Sequence, residues 1–471
     1  MRISFSIYDY AVIIIYFAVS IFIGLKVKAS DKTNEAYLVA GRRISLPAFV
    51  ATLVSTFYGG ILGVGEFTYN YGFSSWIMNA FPYYFFITIF AFLLAKKIRK
   101  SSLYTIPDKL ELVYGKKVSI IGALLVFLLV TPAPYLLMMG IILQLITGWS
   151  IQISILVCLI VSVIYLFKGG LKADVNVNIF EFVIMYLGFA IILPFCFMKI
   201  GGFGVLAEKL PPEHLSLTGG NSFSYIIVWF LIGSWSLVDP TFHQRCYAAK
   251  NENTAKKGVL ISLLFWFVFD FLTVTAGLYA KVFLPDLKDA PMAYPLLADS
   301  ILPSVAKGIF FTGMIATVMS TLHSYIFVSA ATFGNDIIGR MKSKTDTMNK
   351  FSKLGIIVTS VISIVISFYF PSIVQIWYLI GTLCIPPLLI SVVSSYFEKL
   401  NINSTYVLLS MMISFLISLV SFLTGQFNQV NGNPLYLFGI EPVYPGLIAG
   451  LGIYFIGLLV KNNKRTESPL P

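Results

Sequence analysis

The sequence predicts an all-α membrane protein with about 13 transmembrane helices, organised as one multi-pass domain over residues 1–471. Hydrophobic residues make up 58% of the chain and charged residues only 11%, a composition outside the range of ordinary soluble domains. Apolar runs of about 20 residues, the length that crosses the hydrocarbon core as a helix, recur along the chain. Basic loops alternate with non-basic loops between these runs, as expected when successive helices cross in opposite directions.

The apolar runs are numbered in chain order as segments 1 to 13. Segment 1 carries Lys26 and Lys28 on its C-terminal flank, and no small-residue cleavage site follows it. It is therefore predicted to be a retained helix and not a signal peptide. The predicted bounds are 8–25, 45–71, 76–95, 118–147, 151–167, 178–198, 222–242, 258–280, 303–333, 354–370, 373–397, 405–424 and 444–460.

The formal net charge of +12 reports membrane topology and does not indicate a nucleic-acid partner. Of the 33 Lys and Arg residues, 27 fall in the loops that follow odd-numbered segments or in the C-terminal tail. The positive-inside rule then predicts a cell-membrane protein with its N-terminus outside and its C-terminus in the cytoplasm. The lipid bilayer is the predicted surrounding, and we expect the chain to function as a monomer.

Glycine and proline interrupt several segments. Segment 2 contains Gly59-Gly60, segment 7 contains Gly233 and Asp239-Pro240, and segment 11 contains Gly381 and Pro386-Pro387. Such breaks release backbone carbonyls that lipid cannot satisfy, so they persist only where protein or a water-lined cavity covers them. Corresponding breaks in segments 2 and 7, five segments apart, are the pattern of an inverted-repeat transporter with its site between the repeats.

A pair of hydroxyl residues, Ser320-Thr321, lies in the middle of segment 9. Isolated hydroxyls in membrane helices more often bond to their own helix or join two helices. Here a broken segment supplies free carbonyls as well, and hydroxyl and carbonyl oxygens are ligands for hard cations. The combination predicts a cation site at the membrane midplane.

Short motifs along the chain resemble the sodium:solute symporter family, which includes bacterial proline, pantothenate, sialic acid and galactose symporters. The most recognisable of them is the loop Gly169-Gly170-Leu171-Lys172-Ala173, and the resemblance extends from about Ala29 to Phe397. The other motifs are Ala29-Ser30-Asp31, Tyr37-Leu38-Val39-Ala40-Gly41-Arg42, Gly59-Gly60, Tyr69-Asn70-Tyr71-Gly72, Ile106-Pro107-Asp108-Lys109-Leu110-Glu111, Tyr114-Gly115, Asp239-Pro240, Gln244-Arg245, Ala248-Ala249-Lys250, Leu302-Pro303 and Met319-Ser320-Thr321.

The resemblance implies a LeuT-like core of two inverted five-helix repeats in segments 2–11, about 45–397, with segments 1, 12 and 13 peripheral. It also implies sodium-coupled symport of a small organic solute into the cell by alternating access. The co-transported sodium ion would lie between segments 2 and 9. Its ligands would be the carbonyls of Ser55, Tyr58 and Thr317 and the hydroxyls of Ser320 and Thr321. Five neutral oxygens suit a hard monovalent cation better than a divalent one.

One departure from the family pattern concerns a further sodium site. Where the family often has Thr-Asp, this chain has Val177-Asn178. Some members use that Asp, together with a serine one helical turn past the Ser-Thr pair, for another sodium ion. Here His323 and Ser324 occupy that turn. We therefore expect a single sodium ion, and we retain Asn178 and His323 as candidate coupling or gating residues.

The predicted solute site lies around the break in segment 2. No Lys or Arg lies in the middle of a segment, which disfavours an anionic solute and leaves neutral and zwitterionic solutes open. Binding pockets for small solutes combine apolar walls with a few polar groups. The candidate residues for solute binding are Phe57, Gly59, Gly60, Glu66, Asn79 and Trp235.

Ionisable residues inside membrane segments are functional candidates by default. Asp270 lies among apolar residues at the middle of segment 8, so it must be paired, hydrated or protonated, and it is a candidate for coupling or gating. Its partner cannot be read from the sequence. Asp9 is expected to be solvated at the outer edge of segment 1, and Asp239 is expected to pair with Arg245.

Other functions remain as alternatives at this point. The nearest is a proton-coupled symporter that uses Asp270 and His323, and the others are a passive channel and a transporter-like sensor. A channel is disfavoured because no rings of charged or carbonyl groups that would line a pore can be identified. The sequence contains no Walker loop, HExxH or nucleophile-elbow motif, so we predict no enzymatic activity.

Overall fold

The protein, described by a computed structural model, is nearly all helical. The structure describes residues 2–27, 33–163, 166–340, 348–370, 372–430 and 433–466. The motif Ala29-Ser30-Asp31 lies outside the described residues. A two-stranded antiparallel hairpin, Gln429–Val430 with Asn433–Pro434, connects segments 12 and 13.

Each of the thirteen predicted segments contains at least one helix. In chain order they are Ile7–Lys26, the pair Leu46–Phe57 and Ile61–Tyr71, Trp76–Ser101, the pair Lys116–Leu129 and Ala133–Thr147, Ile151–Val163, Leu166–Ile200, the trio Phe223–Ile232, Trp235–Val238 and Pro240–Ala248, Glu252–Phe283, Ala306–Ala331, Met348–Tyr369, Ile373–Ser395, Ser404–Phe427 and Val443–Thr466. Shorter connecting helices are Asn34–Val39, Ile106–Tyr114, Phe203–Lys209 and Ala293–Ile301.

By length and apolar composition, ten of the described helices can cross a membrane, or eleven when the bent pair of segment 2 counts as one span. Two apolar stretches are shorter than the roughly 20 residues that cross a bilayer: helix Ile151–Val163 of segment 5, and Leu354–Tyr369 within the helix of segment 10. The predicted count of 13 is therefore not confirmed, although both shorter stretches lie where it placed them.

Two of the three predicted interruptions are present. Segment 2 bends by 56° between Phe57 and Ile61. Segment 7 breaks after Ile232 and again at Asp239, whose carboxylate accepts a 2.7 Å hydrogen bond from the backbone N–H of Thr241 and caps the next helix. The prediction for segment 11 is wrong, because its helix continues through Pro386-Pro387. Both prolines are buried, and packing within protein allows a membrane helix to lose such backbone bonds.

Segment 9 lies at the centre of the bundle. Its apolar window is completely buried, whereas those of segments 1 and 13 are 28% and 33% buried and leave most of their apolar surface free to face lipid. Segments 6 and 9 cross at Gly188 and Gly313, where a Cβ on either glycine would lie 2.6 Å from the Cα of the other. Small residues permit this close approach of two membrane helices, and it holds segment 9 in place.

Asp9 is buried, with 1% of its surface exposed, so the expectation that it is solvated is wrong. Its carboxylate accepts hydrogen bonds from the N–H groups of Val305 at 2.8 Å and Gly308 at 2.9 Å. These N–H groups lie at the start of segment 9 and have no partner within their own helix. Asp9 therefore caps segment 9 and anchors segment 1 to it.

Candidate functional site

The first half of segment 2 ends at the bend and leaves carbonyl groups free. Helix Leu46–Phe57 includes Ser55 and Thr56 in its last turn, and the last four carbonyls of a helix lack intrahelical donors. The helix dipole adds partial negative charge at this end. The sequence therefore places electron-rich oxygens in the interior of the bundle.

Segment 9 brings two hydroxyls to these carbonyls. Ser320 Oγ lies 2.8 Å from the carbonyl oxygen of Ser55 and 2.9 Å from that of Thr317. Thr321 Oγ1 lies 2.5 Å from the carbonyl oxygen of Thr56 and 3.5 Å from that of Ser55. All five residues are buried. The structure thus brings together four of the five predicted sodium ligands, from Ser55, Thr317, Ser320 and Thr321.

Within the described residues, the carbonyl of Tyr58, the fifth predicted ligand, accepts no hydrogen bond from Ser320 or Thr321, whose hydroxyls bond to other carbonyls. Thr56, two residues before Tyr58, contributes a carbonyl that was not predicted. Its position in the last turn of the helix indicates a carbonyl without a donor in its own helix. Gly59 packs against the same group, because an added Cβ would collide with Thr321 Oγ1. Gly59 therefore allows segment 2 to approach segment 9.

A second set of buried polar side chains, here called the polar cluster, adjoins these oxygens. The guanidinium nitrogen Nη2 of Arg245 lies 2.8 Å from Asp174 Oδ2, 2.8 Å from Ser324 Oγ and 2.9 Å from Thr56 Oγ1. The Nδ2 of Asn178 donates to the same set of oxygens, at 3.2 Å from Asp174. The cluster consists of Thr52, Thr56, Asp174, Asn178, Arg245 and Ser324.

The polar cluster corrects one predicted pairing. Arg245 forms an ion pair with Asp174, and both side chains are almost completely buried. Asp239, its predicted partner, accepts from Thr241 and from the hydroxyl of Tyr325 at 3.0 Å instead. The carboxylate that is missing at position 178 is thus replaced one helical turn earlier, at position 174, and it is already matched by a positive charge.

A cavity of about 100 Å³ lies beside the bend of segment 2. Phe57, Gly60, Asn79 and Trp235 line it, whereas Gly59 and Glu66 are absent from its wall. Glu66 instead accepts a 3.0 Å hydrogen bond from Ser372 Oγ. The other lining residues, which were not predicted to contact the solute, are Tyr58, Val64, Tyr83, Tyr135, Trp229, Ile232, Asp270, Tyr325 and Trp377.

Asp270 points its carboxylate into this region. The hydroxyl of Tyr58 donates to Asp270 Oδ1 at 2.5 Å, and the hydroxyl of Tyr84 donates to Oδ2. These tyrosines are the partners that the sequence could not identify, since they come from segments 2 and 3. Asn178 belongs to the polar cluster, and His323 is 1% exposed within segment 9; neither lines the cavity.

These features together define a class of protein. Membrane-spanning helices broken near the middle of their length, free backbone oxygens at the break and an adjoining cavity are the arrangement of secondary transporters. The profile of the sodium:solute symporter family matches residues 37–414. The chain belongs to this family, and its activity is sodium-coupled solute symport; it is a transporter and not an enzyme.

Among similar sequences, a sodium/glucose cotransporter of Vibrio parahaemolyticus is 25% identical over 407 residues, which cover 74% of this chain and 72% of the relative. Sodium/glucose cotransporter 1 of Oryctolagus cuniculus is also 25% identical, over 71% of this chain and 59% of its own length. The chain thus spans less than two thirds of that longer animal relative.

Among solved structures, a Na⁺-coupled sialic acid symporter in a substrate-bound, outward-open state aligns with a TM-score of 0.79 at 17% identity, covering 97% of this chain and 98% of that one. Mhp1, a nucleobase-cation-symport-1 family transporter, aligns with a TM-score of 0.58 at 15% identity, over 90% and 93% of the two chains. These similarities establish a shared fold.

Proposed function

We propose that this symporter moves one sodium ion and one small organic solute into the cell in each cycle. Sodium is held by the carbonyls of Ser55 and Thr317 and the hydroxyls of Ser320 and Thr321, and the Tyr58 carbonyl joins them. The carbonyl of Thr56 is a further ligand. The observation that carries the assignment is the contact of Ser320 and Thr321 with the free end of helix Leu46–Phe57.

In the proposed cycle, sodium enters from outside and joins segments 2 and 9. This fixes the bend of segment 2, which forms part of the wall of the solute cavity, so that sodium binding favours solute binding. The two halves of the core then rock and open the site to the cytoplasm. Asn178, Asp270 and His323 are proposed to tune this transition, since each is buried in the core.

The proposal includes the membrane arrangement. All thirteen segments cross the bilayer, the N-terminus is outside and the C-terminus is cytoplasmic, as the distribution of basic residues supports. Segments 2–11, about 45–397, form the inverted-repeat core and segments 1, 12 and 13 surround it. The chain acts as a monomer, with sodium, the solute and the bilayer as its partners.

The test is uptake of a labelled metabolite panel into proteoliposomes, with an inward sodium gradient or with potassium replacing sodium. Ser320→Ala/Thr321→Ala removes the two hydroxyl ligands and is expected to abolish sodium-dependent uptake. Ser329→Ala/Thr359→Ala is the matched control, because it removes two buried hydroxyls that bond to each other at 3.0 Å between segments 9 and 10. The control is expected to retain uptake.

Uptake that is indifferent to sodium and to the Ser320/Thr321 substitutions would overturn the sodium assignment. If that uptake followed an imposed proton gradient and was lost in Asp270→Asn, coupling would belong to Asp270. Uptake that never exceeds equilibrium under either gradient would indicate a passive channel.

A further inference from the structure

We propose that the cavity beside segment 2 binds a small ammonium compound that also carries an oxygen acceptor. Amino acids, betaines and amino alcohols share this chemistry. The inference rests on the proposed function, because it takes this cavity as the solute site of the symporter. It follows from three properties of the wall: one carboxylate, many aromatic rings and three hydrogen-bond donors without acceptors.

The first property is an unbalanced negative charge. Asp270 lines the cavity, and among the described residues no Lys, Arg or His joins it there. Its two hydrogen-bond partners, Tyr58 and Tyr84, are neutral phenols. A buried carboxylate without a counter-charge is costly, and a positively charged group on the solute would provide that counter-charge.

The second property is the aromatic character of the wall. Eight of the thirteen lining residues carry aromatic rings, including Trp229, Trp235 and Trp377. The faces of these rings attract cations, tryptophan most strongly, and clusters of such rings recognise ammonium groups in other proteins. A wall of this type next to Asp270 provides both the ring faces and the negative charge that an ammonium group requires.

The third property is a set of donors that require an acceptor. Within the described part of the chain, Trp229 Nε1, Trp235 Nε1 and Asn79 Nδ2 are buried and have no hydrogen-bond partner. Gly60 lines the same cavity directly before helix Ile61–Tyr71, so the positive end of that helix lies at the wall. An unsatisfied buried donor costs stability, and an oxygen atom on the solute would accept from these groups.

The three properties also exclude two classes of solute. A carboxylate without an ammonium group would face Asp270 without compensation, and an uncharged solute would leave the carboxylate unbalanced. With Asp270 ionised, the solute is therefore either zwitterionic or singly positive. Its ammonium end lies at Asp270, and its oxygen lies at Asn79 and Trp235.

The experiment measures binding to purified protein by the change in tryptophan fluorescence, since three tryptophans line the cavity. The probes are glycine, glycine betaine, choline and tetramethylammonium, each in sodium or potassium buffer. The matched uncharged probe is 3,3-dimethylbutan-1-ol, which has the shape of choline without its charge; glucose and acetate complete the set. We expect at least one oxygen-bearing ammonium compound to bind in sodium at least tenfold more tightly than the alcohol, glucose or acetate.

Two variants locate the contacts. Asp270→Asn is expected to weaken ammonium binding at least tenfold. Asn79→Ala is expected to remove the advantage of an oxygen-bearing ammonium compound over tetramethylammonium. Glu66→Gln is the matched control, because it neutralises a carboxylate of segment 2 that does not line the cavity. Elution as a single species from a sizing column and an unchanged melting temperature establish that each variant is folded.

The outcomes separate the two proposals. Sodium-dependent binding of glucose or acetate that persists in Asp270→Asn would overturn the solute class and leave sodium symport standing. Ammonium binding that is equal in sodium and potassium and is lost in Asp270→Asn would support the solute class and contradict the proposed cycle, in which sodium binding favours solute binding. No binding of any ammonium probe at millimolar concentration would overturn the inference.

Discussion

Two side-chain hydroxyls and one missing side chain shape the proposed sodium site. Ser320 and Thr321 reach the free carbonyls of segment 2 only because Gly59 has no Cβ to keep the two segments apart. The hydroxyls can be recognised in the sequence as polar groups at the centre of an apolar run. The need for glycine opposite them follows from the three-dimensional contact alone.

Gly59→Ala is expected to weaken sodium binding. The added methyl would collide with Thr321 Oγ1, and relieving such overpacking costs about 1–3 kcal/mol. If that cost falls on the sodium-bound state, the sodium concentration for half-maximal uptake rises roughly fivefold to more than a hundredfold. The measurement is uptake as a function of sodium concentration. Gly204→Ala is the control, because an added Cβ there meets no atom within 4 Å; equal sodium affinity in Gly59→Ala and wild type would contradict the prediction.

The buried pair of Arg245 and Asp174 makes a prediction about stability. Arg245→Gln leaves the Asp174 carboxylate buried without its counter-charge, and breaking such a pair costs about 3–5 kcal/mol. Asp174→Asn/Arg245→Gln removes both charges and is expected to be more stable than Arg245→Gln alone. Thermal unfolding in detergent measures both variants. A double variant no more stable than Arg245→Gln would show that the two charges are not coupled.

The sequence indicated which hydroxyls and carbonyls lie together better than it indicated the partners of the charged residues. Ser320 and Thr321 were recognisable as polar groups at the middle of an apolar segment, whereas a charged residue reveals its presence but not its partner. Asp270 bonds to Tyr58 and Tyr84, and Arg245 bonds to Asp174, each across separate segments. Such pairings depend on how the helices pack, which a single sequence does not specify.

At the scale of elements, hydropathy predicted the position of a helix in each of the thirteen segments. Several helices extend past the predicted bounds; the helix of segment 6, for example, begins at Leu166 and not at residue 178. The bend of segment 2 was predicted from its glycine pair. The same two glycines allow close contact with Thr321 and Trp377. The helix of segment 11 continues through Pro386-Pro387, since packing can compensate for the bonds that proline removes. Whether a glycine or proline interrupts a membrane helix therefore depends on the residues that pack around it.

The crossing of segments 6 and 9 gives a prediction at this scale. Gly313→Ala places a methyl group against the backbone of Gly188 and is expected to lower the melting temperature in detergent by pushing segment 9 outward. Gly452→Ala is the control, because it also lies in a membrane helix but its added Cβ meets no atom within 4 Å. Alanine is the better helix former, so this control is expected to be neutral or slightly stabilising. A smaller loss for Gly313→Ala than for the control would contradict close packing at the crossing.

At the scale of the whole molecule, one sodium ion per cycle supplies enough free energy for concentrative uptake. A single positive charge that moves inward through about 100 mV gains about 2.3 kcal/mol. A tenfold sodium gradient adds about 1.4 kcal/mol. For a zwitterionic solute, the sum supports an accumulation of several hundredfold. A second sodium ion is not needed to concentrate the solute to this extent inside the cell.

The polar cluster argues for the same stoichiometry. The guanidinium of Arg245 is surrounded by oxygens of Asp174, Thr56 and Ser324, the type of environment that a second sodium ion would require. Its fixed positive charge balances Asp174 and would repel another cation in this interior, where charges are weakly screened. We therefore expect sodium activation with a Hill coefficient near 1.

A measurement at zero membrane potential gives the stoichiometry directly, whatever the charge of the solute. Proteoliposomes with equal potassium inside and outside and valinomycin are loaded with labelled solute, and the sodium gradient that produces no net solute flux is determined. For one sodium ion per solute, an inward tenfold sodium gradient balances an outward tenfold solute gradient, since both forces are about 1.4 kcal/mol. For two sodium ions, the same gradient would balance a hundredfold solute gradient. Net inward flux against a tenfold solute gradient would therefore contradict the single-sodium prediction, and the role assigned to Arg245 with it.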